Sequence, residues 1–348
     1  MTKLLRPSLL LLMLGFLISA NAQEPDGYYT NAEGKKKEQL KTSLSAIVTS
    51  GFKSISYNGL WDAYKTTDKN SSGFVYDIYS TCSFTLVSEQ CGNYSSVCDC
   101  YNREHTVPQS WFNEASPMKS DIFHVLPTDG KVNGQRSNYP YGECTGGVKI
   151  DPKARGRLGN CTYPTSYSGT VFEPDDEFKG DIARIYFYMA TRYENNVNSW
   201  GGEAFGNGTY PGLKPWQIDL MLKWHRQDPV STKEIQRNNA VYSLQKNRNP
   251  FVDHPELAEY VWGNKTSESW NLAASLETVS TLKIFSSSMN IHIEGVSSPV
   301  AYRIYNISGA LIKQGMSESD CLIPMNTSGI YIISIQTENT IINRKIAI

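Results

Sequence analysis

Histidine is scarce, with five residues in 348, and none stands in the His-Glu-x-x-His pattern of a zinc hydrolase. Neither charge is in surplus: 33 Lys+Arg face 34 Asp+Glu, a formal net of −1, which excludes a chain that coats nucleic acid by bulk positive charge. No apolar run approaches the ~20 residues that a membrane span needs, since the one at Leu9 to Ile18 stops far short. Cysteine pairs at zinc spacing are missing too. Cys98-Asp99-Cys100 has a single intervening residue where structural sites favour two to four. What is present is a chain that is 40% apolar and 19% charged, enough to bury a core, with a length that predicts roughly two domains at about 150 residues each.

Lys3 and Arg6 precede the apolar run, and Ala20-Asn21-Ala22 supplies a small-x-small cleavage pattern. Residues 1–22 therefore read as an export signal, which places the mature chain in a disulfide-permissive compartment. Cys82, Cys91, Cys98, Cys100, Cys144 and Cys161 lie in one stretch and are expected to be bridged, with the pairing left open apart from a short local closure that suits Cys91 and Cys100; Cys321 stands alone.

Hydrophobic periodicity divides the chain. Leu40, Leu44, Ile47 and Val48 share a helical face, as do Ile182, Ile185, Tyr186, Met189 and Tyr193. Pro215 opens a further helix, and Ser231-Thr232-Lys233-Glu234 is a capping box that opens another. Phe74 to Tyr79 is expected to form a strand, and the acidic run Glu173, Asp175, Asp176 and Glu177 a solvated loop. Residues 23–263 thus read as an α+β domain with much helix. A Ser/Thr/Glu-rich linker at 264–281 follows, then alternating apolar runs over 282–348 that predict a small all-β sandwich.

The chemistry concentrates in Tyr101 to Phe112 and Ser120 to Tyr139. Glu104 and His105 are adjacent near a strand end, where Pro108 stops the strand. Neighbours on a strand point to opposite faces, so both approach one ligand only at its end. A carboxylate with an amide oxygen is how proteins hold Mg²⁺ while leaving it several waters. An imidazole beside such an ion, not bound to it, is free to take a proton from water. For an isolated Glu-His pair a structural histidine is the simpler account; the second segment changes the balance. His225, on a helix with apolar turns, and His254, in a rigid Pro-flanked turn, are expected to be structural.

Asn102-Arg103-Glu104-His105 with Pro108 and Trp111 is followed by Asp121, His124, Pro127, Val132-Asn133-Gly134, Arg136-Ser137-Asn138 and Lys179-Gly180-Asp181-Ile182-Ala183-Arg184. In this ordered set, spread over roughly residues 28–263, the chain resembles the bacterial endonuclease I family of secreted and periplasmic nucleases. The resemblance implies a ββα-metal (His-Me finger) fold, His105 as general base, and Glu104 with Asn133 as ligands of one Mg²⁺, a site that Mn²⁺ or Ca²⁺ also suits. Arg103, Arg136, Asn138 and Arg184 are the candidates for contact with substrate phosphate. Two departures stand out. Phe123 occupies a place where relatives often carry histidine, and the stretch from His105 to Asn133 lacks the Cys-rich insertion whose arginine helps to hold the product phosphate in periplasmic relatives.

The end of the chain resembles the sorting domain of the bacterial type IX secretion system, through Ile291-His292-Ile293-Glu294-Gly295, Ile304-Tyr305-Asn306-Ile307-Ser308-Gly309 and Ser328-Gly329-Ile330-Tyr331-Ile332. The Pro-Asn-Pro often found before its first strand is absent. The expectation is a monomeric, metal-dependent endonuclease of low sequence specificity that cuts DNA, with RNA a second candidate, and is exported through the periplasm to the surface or medium by the type IX machinery. The competing reading is a non-catalytic surface-binding protein on a nuclease scaffold. Residues 101–160 and 179–265 carry eight against six and eleven against nine basic and acidic residues, so substrate binding is expected to be modest and salt-sensitive.

Overall fold

The computed structural model describes residues 24–272, 282–287, 289–296, 298–307, 309–336 and 341–348; the leader at 1–22 and much of the linker lie outside them. Leu40, Leu44, Ile47 and Val48 form the buried stripe of α1 (Lys37–Thr49), and α2 (Leu60–Thr67) follows. β1 (Tyr101–His105) and β2 (Val125–Asp129) make an antiparallel hairpin with Glu104 opposite Leu126. α3 (Gly130–Arg136) starts where β2 ends, because the Asp129 side chain accepts the Val132 N–H at 2.9 Å and so caps the helix. β3 (Glu143–Cys144), β4 (Arg157–Tyr163) and β5 (Thr170–Glu173) form a second antiparallel sheet.

α4 (Lys179–Arg192) is more central than a stripe implies: every residue of it except Asp181 is buried, the signature of a helix packed on all sides. Around it lie α5 (Pro215–Gln227), with Pro215 in its first turn, and α6 (Thr232–Gln245), where Ser231 and Glu234 form both bonds of the capping box. α7 (Pro250–Asp253) and α8 (Leu257–Val261) complete this α+β region. Seven further strands run from residue 283: β6 (Lys283–Ser287), β7 (Asn290–Glu294), β8 (Val300–Asn306), β9 (Leu311–Ser317), β10 (Cys321–Pro324), β11 (Ile330–Gln336) and β12 (Ile341–Ala347). They form two antiparallel sheets, ordered β10-β7-β6 and β12-β11-β8-β9, over a core that includes Ile291, Ile304, Ile323 and Ile333. No helix among the described residues is long and apolar enough to cross a membrane.

Three expectations are corrected. Phe74 to Tyr79 is not a strand. Asp77 bends the chain there by accepting the Tyr79 N–H at 2.7 Å, and Val75, Ile78 and Tyr79 all turn into the core instead of alternating. Glu173 is not solvated: it is buried at the end of β5 and accepts from Lys179 at 2.9 Å and Arg157 at 3.0 Å, so only Asp176 and Glu177 of the acidic run are exposed. Of the cysteines expected to be bridged, Cys82–Cys98 and Cys91–Cys100 are bonded and clamp the irregular chain before β1. Cys144 and Cys161 face each other across β3 and β4 but remain thiols, each drawn to other partners: Cys144 to Glu173 and Arg157, Cys161 to the Tyr163 carbonyl at 3.2 Å.

His254 holds more than its own turn. Its Nε2 lies 2.7 Å from Glu24 and its Nδ1 3.7 Å from Glu256, so the ring fastens the start of the described chain to the segment before α8. Burial opposes charge on this ring, but the two carboxylates outweigh it and raise its pKa from 6.5 to about 9. A raised folded-state pKa means that the stabilisation is complete below pH 6.5 and is lost as pH climbs through 9. Stability followed by thermal denaturation should accordingly fall between pH 7 and 10 by on the order of 2–3 kcal/mol, and Glu24→Gln should flatten that decline; identical pH curves for the two proteins would contradict the clamp.

Candidate active site

β1 presents Asn102 and Glu104 on one face and Arg103 and His105 on the other, and at the strand end all four reach a single cleft of about 500 Å³. Asn133, Ser137 and Asn138 from α3 and its exit line the same cleft, with Tyr57 and Trp61 on one flank and Gln109 and Ser110 on another. The structure thus brings Glu104, His105, Asn133, Arg103 and Asn138 together.

His105 Nε2 lies 3.0 Å from the Lys119 carbonyl, so this nitrogen carries the proton and Nδ1 is left as an acceptor. His124 repeats the arrangement on the preceding carbonyl, with Nε2 2.7 Å from the Met118 oxygen, and the two rings lie 5.5 Å apart. Burial, reinforced by the neighbouring His124, pushes His105 down to about 3, which keeps the ring neutral at any ordinary pH. Tyr57 covers it with a near-parallel ring at 5.9 Å.

Glu104 is buried and its oxygens are used unequally. Oε1 accepts from the Tyr79 hydroxyl at 2.7 Å and from Arg136 at 2.8 Å, while Oε2 has no partner among the described residues. Tyr79 is itself held by Tyr141, hydroxyl to hydroxyl at 2.5 Å. Burial still raises Glu104 to about 7 despite Arg136, so the carboxylate is short of positive charge. The Asn133 Nδ2 donates to Asn102 Oδ1 at 2.6 Å, which leaves the Asn133 side-chain oxygen without a described partner.

The four nominated phosphate contacts separate cleanly. Arg136 is buried behind Glu104, with its guanidinium also donating to the His105 and Thr106 carbonyls at 2.8 and 2.7 Å. Arg184 is fully buried between Glu234 and the Asp228 carbonyl, away from the cleft residues. Both guanidiniums are spent inside the fold, so neither is available to a substrate phosphate. Arg103 lines the cleft, stacked 3.5 Å over Tyr57 and 4.4 Å from the Trp61 ring, with one nitrogen on the Tyr57 carbonyl at 2.8 Å. In the region 24–272 every other arginine sits against a carboxylate: Arg136, Arg155, Arg157, Arg184, Arg192, Arg226, Arg237 and Arg248. His225 is structural, as expected, with Nε2 2.9 Å from the Pro255 carbonyl.

Tyr79, Tyr141, Tyr57 and the Lys119 carbonyl were not among the sequence candidates, because they enter from irregular segments whose spacing from β1 carries no pattern. Asn102 had a usable signal: two residues from Glu104 on a strand, it must share that residue's face.

A buried carboxylate, a neutral imidazole and an amide around one cleft are the makings of a hydrolase, and the chain belongs to the endonuclease I family, whose pattern matches residues 36–256. Residues 285–348 match the secretion system C-terminal sorting domain, the tail of type IX export, so the protein is directed to the cell surface or the medium. Among known proteins it is similar to an extracellular ribonuclease of Bacillus amyloliquefaciens, 38% identical over 253 residues that cover 69% of this chain and 79% of that one. It is also similar to an extracellular ribonuclease of Bacillus subtilis (strain 168), 36% identical with the same coverage. An extracellular deoxyribonuclease of Aeromonas hydrophila is 28% identical over 142 residues, which are 40% of this chain and 52% of its own length.

Proposed function

We propose that the protein is an exported metal-dependent endonuclease of the ββα-metal type, in which β1, β2 and α3 form the finger, and that residues 23–263 and 282–348 are its nuclease and sorting domains. The observation that carries this reading is the division of labour at Glu104: Tyr79 and Arg136 occupy Oε1, while Oε2 and the Asn133 side-chain oxygen have no partner among the described residues, and both residues line a cleft shared with His105. Two hard oxygens, one from a carboxylate and one from an amide, suit Mg²⁺ and give no reason to favour a soft cation. Bound there, Mg²⁺ would neutralise charge on the scissile phosphate and the leaving oxygen.

The chain's own residues supply the rest. His105 Nδ1 accepts a proton from the attacking water, the water oxygen bonds to phosphorus, and the bond to the leaving oxygen breaks, with the leaving oxygen taking a proton from solvent. The Lys119 carbonyl holds the tautomer that leaves Nδ1 free to accept. Arg103, without a carboxylate partner among the described residues and braced by Tyr57 and Trp61, is the arginine positioned to bind the phosphate, and Asn138 contributes a neutral donor at the rim of the cleft. The relatives' split between ribonuclease and deoxyribonuclease makes both polymers substrates to test.

The full exported chain should nick supercoiled plasmid and shorten single-stranded RNA in millimolar Mg²⁺, and EDTA should abolish both. Cutting that survives EDTA would remove the metal from the account, and binding without any cutting would leave a non-catalytic scaffold.

A further inference from the structure

We propose that Asn102 is a positioning residue for the metal site: by accepting a hydrogen bond from the Asn133 amide nitrogen, it turns the Asn133 oxygen towards the cleft. This rests on the reading of Glu104 and Asn133 as metal ligands. An asparagine amide offers an oxygen at one end and two N–H donors at the other, nearly identical in shape, and only its hydrogen-bond partner decides which end faces a ligand. Turned the wrong way, Asn133 would present N–H dipoles to a cation.

Asn102 Oδ1 lies 2.6 Å from Asn133 Nδ2 and ties the donor end down. The acceptor is delivered by strand parity, since Asn102 and Glu104 are two residues apart on β1 and share the face on which α3 carries Asn133. Register holds it there: Asn102 lies opposite Thr128, and Asp129, the next residue, caps α3. The helix that bears the ligand therefore follows directly on β2, the strand paired with the one that orients it. Asn102 is only half-buried and lines the cleft, so its side chain is not needed to fill the core.

Outer partners that orient metal ligands typically contribute about 10- to 100-fold to metal affinity. The test is Mn²⁺ binding to the full chain without substrate, measured by calorimetry and by the Mn²⁺ spin-resonance signal, for wild type, Asn102→Leu, Asn102→Ala and Asn102→Asp. Leucine and alanine remove the acceptor and should weaken binding at least about tenfold, with melting temperature close to wild type. Aspartate keeps an acceptor and cannot donate, so it should bind as tightly as wild type or more so. Wild-type affinity in both Asn102→Leu and Asn102→Ala overturns the proposal. So does an Asn102→Asp protein as weak as Asn102→Leu, which would mean that Asn102 acts as a donor. Glu104→Gln and Asn133→Leu separate the two levels: if they weaken Mn²⁺ binding and Asn102→Leu does not, the positioning role alone fails, whereas wild-type binding in all of them removes the metal site itself.

Discussion

His105→Ala is expected to lower the metal-saturated cleavage rate by about 10²- to 10⁴-fold, the usual contribution of a general base, while leaving metal binding and nucleic-acid affinity near wild type. The separation follows from geometry. His105 is fixed through Nε2 to the Lys119 carbonyl, and neither Glu104 nor Asn133 depends on its ring for a hydrogen bond. Alanine also leaves a space open to the cleft, so added imidazole should restore part of the rate. A His105→Ala protein that keeps its saturated rate but needs far more metal would make His105 a ligand instead of the base.

Arg136→Ala should have the largest effect on stability. Its guanidinium is 1% exposed, forms an ion pair with Glu104 and donates to two main-chain carbonyls at the end of β1. Removing one member of a buried ion pair strands the other, at a cost of about 3–5 kcal/mol. Here the stranded group would be Glu104, already raised to about 7 by burial even with Arg136 in place. Denaturant unfolding of the full chain should show the nuclease transition displaced by that amount. An unchanged transition accompanied by a raised KM would return Arg136 to the role of a phosphate contact.

The legible parts of this protein are those whose cause is local. Pro215 and the Ser231 and Glu234 box announce α5 and α6, since capping is settled within one turn. The apolar spacing of Leu40, Leu44, Ile47 and Val48 announces α1 in the same way. Glu104, His105 and Asn133 stand in short ordered motifs, and β1, β2 and α3 carry them into one cleft.

What was illegible depends on distant chain. Arg136 and Arg103 have the same charge and both flank motif residues, yet one is walled in by Glu104 and Tyr141 while the other faces the cleft on Tyr57 and Trp61. For Arg136 the wall is Glu104, 32 residues back, and for Arg103 the platform is a segment 46 residues away whose Tyr57 carbonyl takes its bond. Phe74 to Tyr79 failed for a related reason: β-rich composition does not reveal that Asp77 will spend its carboxylate on the Tyr79 and Asp129 N–H groups and bend the chain. Cys144 and Cys161 have the register of a bridge, but composition says nothing of the Glu173 and Arg157 side chains that draw one thiol aside.

The central claim is that Glu104 holds the metal and His105 moves the proton, and one measurement separates the two roles: cleavage rate against Mg²⁺ concentration for wild type, Glu104→Gln and His105→Ala. The account predicts that Glu104→Gln shifts the curve to higher metal, and that His105→Ala lowers its plateau without shifting it. Superimposable midpoints for wild type and Glu104→Gln, or undiminished cleavage at zero metal, would contradict it.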